Sequence, residues 1–325
     1  MNPDIFAEWF RQQGQQVIRT TSSYWVKQGS RALQAFPYHW VIEPTHSELN
    51  DLLKKHKAIA LRYSTPLSAQ FGYVSYHAIM EDPTYGFASL GKRTRKNVRR
   101  GLDFSKVEPI SFECLAQEGF LLQVDTLERQ GRKVELEHNK WRTLCLAARD
   151  LPGFEAWGAL VDGKLAASAL VFRMDDWYYI LYQQSLRKYL PENVNNALTF
   201  TMTQNLINRP GTRSIFYGLH SLDASASLDE FKFRMGYLAK PVRQRVVFHP
   251  WLGSFGNDLS HSITQRLLSH VPGHPILSKA EGMLRFYLEG RLPLREQNWP
   301  ECIAPCKIAL VNSQPEKPIT QAMSR

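Results

Sequence analysis

Hydrophobic and polar positions along this chain follow two periods, two and about three and a half, in an order that predicts elements. Period two is cleanest in the middle. Residues 155–161, 165–172 and 177–184 read as three strands, with Asp162-Gly163 and Asp175-Asp176 as the turns between them, an antiparallel meander. Upstream, residues 38–42, 58–63, 71–79 and 107–112 are further strand-like runs. Residues 214–219, after the turn Pro210-Gly211, and 242–248 close the series. The helical period marks other stretches. Leu49, Leu52 and Leu53 lead an amphipathic segment. Leu90, Thr94, Val98 and Leu102 recur every four residues within 86–104 and make one narrow stripe. A helix over 115–130 is followed by one carrying Trp141, Leu144, Cys145 and Ala148, stopped by Pro152-Gly153. Val194, Leu198, Met202 and Leu206 place another helix, with Pro191 predicted in its first turn. Residues 228–235 make a short helix ending at Gly236, a C-cap. Helices over 259–270 and 279–289 come last.

The ends are less regular. Residues 1–35 form a polar, Gln-rich leader in which Ile5, Phe6, Trp9 and Phe10 share one helical stripe. That stripe either packs on the body or belongs to an accessory arm. Residues 293–325 contain five prolines and little periodicity, which predicts a mobile tail. The fold class is therefore α/β (α+β), with mixed, mainly antiparallel sheets flanked by helices and extra helices at both ends.

Composition narrows the class. The chain has 325 residues, room for two domains. Aromatic residues make up 12 %, enough to build a core, so disorder throughout is excluded. No stretch approaches the roughly 20 apolar residues of a bilayer span; residues 156–172 come nearest and are broken by Asp162 and Lys164. Asp4, Glu8 and Arg11 leave no apolar signal-peptide core. Four cysteines make no disulfide framework. The expected location is the cytoplasm, free or peripheral to the membrane.

The net charge is +10, and residues 92–100 alone hold six bases and no acid. Charge this concentrated points to a local anionic partner, unless the segment is simply a solvated helix face.

The order of elements from 155 to 248 resembles the second half of the GNAT acyltransferase fold. The details resemble one branch, the Fem-type peptidoglycan-bridge transferases and their FemAB-like relatives. Three features carry this resemblance: the basic run Lys92-Arg93-Thr94-Arg95-Lys96-Asn97-Val98-Arg99-Arg100 before a strand, the meander with its turn Val161-Asp162-Gly163-Lys164, and Phe231-Lys232-Phe233-Arg234-Met235-Gly236 before the final strand. The resemblance implies two GNAT-like units, 36–112 and 113–250, followed by helices over 251–292. It implies N-acyltransferase chemistry, with acyl-CoA or aminoacyl-tRNA as donor co-substrate and no permanently bound cofactor. The glycine-rich pyrophosphate signature of acetyl-CoA users is missing, since residues 186–193 contain no glycine. The acceptor implied is a small molecule or a cell-envelope precursor; tRNA and an anionic membrane surface are the possible larger partners.

Candidate side chains follow. Lys232 of the Phe231-Lys232 pair is placed by the resemblance near the bond being formed, where an ammonium can stabilise an oxyanion; otherwise it is a solvated lysine on a short helix. His220 and Tyr217 end a strand at the expected acceptor mouth. A neutral histidine there can take an amine proton, oriented by Asp223, or be a hydrogen-bonded loop residue. Arg187, Lys188, Asn193 and Asn195 precede or begin a helix whose N-terminus suits donor phosphates, or form a polar surface loop. Tyr182 and Gln183 line the same cleft or only pack. Arg95 and Arg99 of the basic helix grip an anionic donor, acceptor or surface. Cys302 and Cys306 lack the spacing and partners of a zinc site, and no metal is expected. The function these residues support is acyl or aminoacyl transfer to an amine or hydroxyl. The alternative is a non-catalytic nucleic-acid or anionic-surface binder on the same fold.

Overall fold

The computed structural model describes residues 2–29, 31–131, 137–222, 226–255, 258–270 and 275–313. Eleven strands among them form one continuous sheet. In chain order, α1 (Pro3–Gln12) precedes β1 (Val17–Arg19), β2 (Tyr24–Gln28) and β3 (Ala32–Phe36). Then come α2 (His46–Lys55), β4 (Ala60–Thr65), β5 (Tyr73–Met80), α3 (Lys92–Phe104) and β6 (Lys106–Ile110). Helices α4 (Phe112–Arg129) and α5 (His138–Arg149) lead into the meander β7 (Phe154–Val161), β8 (Lys164–Met174) and β9 (Trp177–Ser185). After it follow α6 (Val194–Ile207), β10 (Ser214–Leu219), α7 (Ala226–Arg234), β11 (Leu238–Phe248), α8 (Asp258–His270), α9 (Pro275–Glu289) and the short α10 (Lys307–Asn312).

The strand order is β1-β2-β3-β4-β11-β5-β10-β9-β8-β7-β6. Two neighbouring pairs are parallel, β3–β4 and β9–β10; the others are antiparallel. The sheet does not part at the 112/113 boundary that the sequence suggests. β6 pairs with β7 along its whole length, and β11 inserts between β4 and β5. The two units thus exchange strands and share one sheet, because edge N–H and C=O groups find partners there.

Local rules explain the elements that the pattern predicts. Asp162 and Gly163 both have positive φ (50° and 74°), the backbone of a two-residue hairpin whose twist matches its strands. Val194, Leu198, Met202 and Leu206 are all fully buried, so the α6 stripe faces the sheet. At the end of α7 the Tyr237 N–H donates to Lys232 C=O (3.2 Å) and Gly236 N–H to Phe233 C=O (3.0 Å). This is a Schellman cap, with Gly236 at φ 91°.

Four expectations are corrected. Residues 38–42 form no strand; β3 lies just before them and only Val41 bridges, to Ser64. Pro191 sits in a 3₁₀ turn over Arg187–Glu192, not in the first turn of α6. Asn193 is likewise outside that turn, as the left-handed link (φ 60°) between turn and helix. Of the expected mobile tail 293–325, residues 314–325 lie outside the described residues, and the described part is docked through Gln297 and Ile303. Gln297 accepts a hydrogen bond from Val74 N–H (2.7 Å) and donates to Gly72 C=O (3.1 Å), while Ile303 is buried. The physical reason is an open strand edge: β10 pairs with β5 only over His77–Met80, so Val74 needs another partner.

The leader is core. Phe6, Trp9 and Phe10 are buried against Phe36, Phe154 and Phe172, and Trp9 Nε1 donates to Leu144 C=O (3.1 Å). Helices α1, α4 and α5 cover one face of the meander; α6 and α3 cover the other. Helix α2 packs Leu49, Leu52 and Leu53 near β2–β4. No described helix is long and apolar enough to cross a membrane.

Candidate active site

Parallel strands β9 and β10 pair only at Trp177–Tyr179 with Ser214–Phe216, then part. β10 stays paired with β5 past that point, through a register shift between Phe216 and Gly218. Beyond the last shared pair β9 stays paired with β8, but its edge towards β10 has no strand partner, and side chains fill in. Thr126 Oγ1 of α4 accepts from Ser185 N–H (3.0 Å) and donates to Ser185 C=O (3.2 Å). Across the gap the Tyr217 hydroxyl donates to Gln183 Oε1 (2.6 Å). Gln183 Nε2 donates in turn to Thr199 Oγ1 (2.7 Å) and, more weakly, to Asn195 Oδ1 (3.4 Å) on α6. Burial raises the Tyr217 phenol above its ordinary range, so it stays protonated.

Beside this gap lies a buried charge pair. Lys232 Nζ donates to Asp229 Oδ1 at 2.7 Å, one helical turn away on α7, with both side chains about a tenth exposed. The other carboxylate oxygen accepts from the Tyr76 hydroxyl of β5 at 2.5 Å. The ammonium also sits 5.2 Å from the centre of the Tyr217 ring. Asp229 takes one of its three N–H donors, so it retains donors for an oxygen in the gap. Asp229 and Tyr76 carry no sequence signal of their own; only the fold brings them to Lys232. The Cys302 thiol of the docked C-terminal segment also reaches Tyr76, and burial pushes it up to about 11.

His220 lies next to this cluster. Its ring stacks on Tyr76 (centroids 4.7 Å apart) and its Nδ1 shares a hydrogen bond with Ser75 Oγ (3.1 Å). Burial holds it down to about 4, against the favourable charge of Asp229. The ring is therefore neutral at pH 7 and a weaker base than an exposed histidine. Asp223, its suggested orienting partner, lies outside the described residues.

The structure brings Lys232, Tyr217, Gln183 and Asn195 together, with Phe231 partly buried on the same side. It sends Tyr182 elsewhere, a correction to its pairing with Gln183. Consecutive strand residues point to opposite faces, and Tyr182 packs edge-on to Trp141 of α5 (5.7 Å), its phenol pushed up to about 12 by burial. Arg187 and Lys188 are exposed on the 3₁₀ turn. Arg187 gives its backbone N–H to Asp125 Oδ2 (2.6 Å) and leans its side chain towards the same carboxylate. Lys188 lies over the Tyr189 ring, and Asn193 bonds Pro191 C=O.

The basic helix α3 docks through Thr94, Val98 and Gly101. Gly101 is required: a Cβ there would lie 2.4 Å from Asn193 C=O. Five of its six bases are exposed and Arg95 is half-buried, but not all of them are unengaged. Arg95 folds back to Leu90 C=O (3.0 Å), Arg99 lies over Phe87, and Arg100 pairs with Glu192 (2.8 Å). Arg99 and Arg100 are exposed despite these contacts, as are Lys92, Arg93 and Lys96.

No protein-family model and no curated protein matches this chain. Solved structures do. The crystal structure of FemX superposes with a TM-score of 0.54 at 13 % identity, covering 76 % of this chain and 91 % of that one. The structure of L-PGS from Bacillus licheniformis gives 0.51 at 12 % identity, covering 84 % and 97 %. The chain therefore shares its fold with FemX and with L-PGS. At such identities the likeness concerns the fold alone and assigns no chemistry to the gap between β9 and β10.

Proposed function

We propose that this protein is an acyltransferase that moves an acyl or aminoacyl group from an activated donor to an amine or hydroxyl acceptor. The observation that carries the reading is the buried Lys232–Asp229–Tyr76 set beside the gap where β9 and β10 part. Little covalent chemistry is asked of the protein. The acceptor nitrogen or oxygen bonds to the donor carbonyl carbon. The C–S bond of a thioester or the C–O bond of an aminoacyl ester then breaks, and the acceptor's proton ends on the leaving sulfur or oxygen. Lys232 donates to the carbonyl oxygen as negative charge develops on it. Asp229 holds that ammonium in place, and Tyr76 holds Asp229. Tyr217 donates to Gln183 and keeps the gap's walls in register.

The donor is acyl-CoA or aminoacyl-tRNA, and the acceptor a small molecule or cell-envelope precursor. The exposed Lys92, Arg93 and Lys96 favour an anionic group on one of them. The same three bases would serve the second reading, a binder of nucleic acid or of an anionic surface without catalysis.

Native mass spectrometry of freshly purified protein, followed by transfer assays with acyl-CoA and aminoacyl-tRNA pools, tests the proposal. Retention or consumption of one donor class in the presence of amines is expected. Binding of RNA without consumption of any donor would favour the second reading.

A further inference from the structure

On the sheet face opposite Lys232 lies a cavity of about 310 Å³. It is separate from the gap between β9 and β10. His77 and Ile79 of β5 line it, whereas Tyr76, their neighbour, turns to Asp229 on the other side. Val41, Trp177 and Val242 complete its apolar wall. At roughly 30 Å³ per water-sized group it accommodates about ten non-hydrogen atoms, the lower end of small-molecule sites.

Three polar side chains break the apolar wall. His39 Nδ1 shares a hydrogen bond with the Tyr179 hydroxyl, and its ring stacks on Trp177 (centroids 4.2 Å apart). His77 Nε2 shares one with Ser64 Oγ (2.8 Å). Neither His39 Nε2 nor His77 Nδ1 has a hydrogen-bond partner among the described residues. Burial holds His39 down to about 4 and His77 to about 3, so both rings are neutral at pH 7. Lys240 is the one lysine or arginine among the described lining residues, and its half-exposed ammonium lies 3.0 Å from Glu81. Glu81 engages one of its three donors.

We infer that this cavity binds a small amphipathic carboxylate, its apolar body against Ile79, Trp177 and Val242 and its head group at Lys240. An apolar wall excludes a strongly hydrated ligand, because its lost hydration would go unreplaced. With both imidazoles neutral, Lys240 is the cation among the described lining residues that can select among head groups. The site requires no acyl transfer, so it stands or falls apart from the proposed function.

Isothermal titration of the full chain with sodium octanoate, a chain of matching size, tests the inference, with octanol and sodium acetate alongside. Saturable binding of octanoate, and none of acetate, is expected. Val242→Phe should remove it by filling the cavity. Val41→Trp, at a residue 43 % exposed, should do so with less risk to folding. Lys240→Gln should weaken octanoate roughly two- to fivefold, as loss of an exposed ion pair does, and leave octanol unchanged. Absence of saturable octanoate binding, or equal binding by folded Val41→Trp and Val242→Phe, overturns the site. Equal octanoate affinity in Lys240→Gln overturns the carboxylate preference.

Discussion

Tyr76 and Asp229 stand 153 positions apart in the chain and meet through a 2.5 Å hydrogen bond. That bond orients the carboxylate which holds Lys232, so a residue of β5 sets the geometry of a residue of α7. The arrangement matters because the pair is buried. A charge pair out of water is tolerated when its remaining donors and acceptors are occupied.

Removing one partner of that pair should therefore cost more than removing both. Asp229→Asn is expected to destabilise by about 3–5 kcal/mol, the usual cost of an orphaned buried charge. Asp229→Asn with Lys232→Met should recover most of the loss. Urea denaturation of the two variants decides it; additive losses would mean that the ions are not coupled.

Lys232→Ala should lower the turnover of the transfer reaction by roughly 10²–10³ while donor affinity stays near wild type. Steady-state kinetics beside donor titration separate the two effects. Unchanged turnover would take Lys232 out of the mechanism.

Gly101→Ala should loosen α3 from α6. Its Cβ would meet Asn193 C=O at 2.4 Å, and backbone atoms give way poorly. A loss of about 1–3 kcal/mol is expected, as for overpacking. A melting temperature equal to wild type would show that the helices separate at no cost.

Charge reversal at Lys92, Arg93 and Lys96 should weaken any polyanion contact with the fold intact. The affinity of wild type for tRNA should fall with salt at a log–log slope of about −0.7 per single-strand phosphate contact. Binding of tRNA and anionic vesicles across a salt series reads this. Equal binding by the variant would leave those bases as a solvated face.

Acid should destabilise the protein over a defined window. Burial lowers His77 to about 3 and His39 and His220 to about 4 in the fold, against an unfolded value near ~6.5. The unfolded chain then binds more protons between those values, so stability is full above pH ~6.5 and falls as the pH drops towards 4. Each histidine contributes a slope of up to about 1.4 kcal/mol per pH unit. Urea midpoints from pH 8 to pH 4 measure it, and His77→Asn should make the profile shallower by one histidine's share. A flat wild-type profile would contradict the burial of these rings.

Much of the scaffold was legible in the chain. The meander shows its period of two, α6 its four-residue stripe and α7 its Gly236 cap, because neighbours in sequence decide which face a residue presents. Lys232 was visible through its motif, and Gln183 and Tyr217 through their place at strand ends. What lay beyond reach is who meets whom. Nothing local tells that β11 enters between β4 and β5, that Gln297 satisfies Val74, or that Asp229 and Tyr76 clamp Lys232. Tyr182 and Gln183 look alike as neighbours, yet the pleat sends them to opposite faces. The prolines that made residues 293–313 look loose are compatible with docking, since that segment meets an open strand edge. Periodicity encodes burial and leaves the partner unspecified. Partners are chosen by unpaired backbone groups and buried charges that exist only once distant strands have come together.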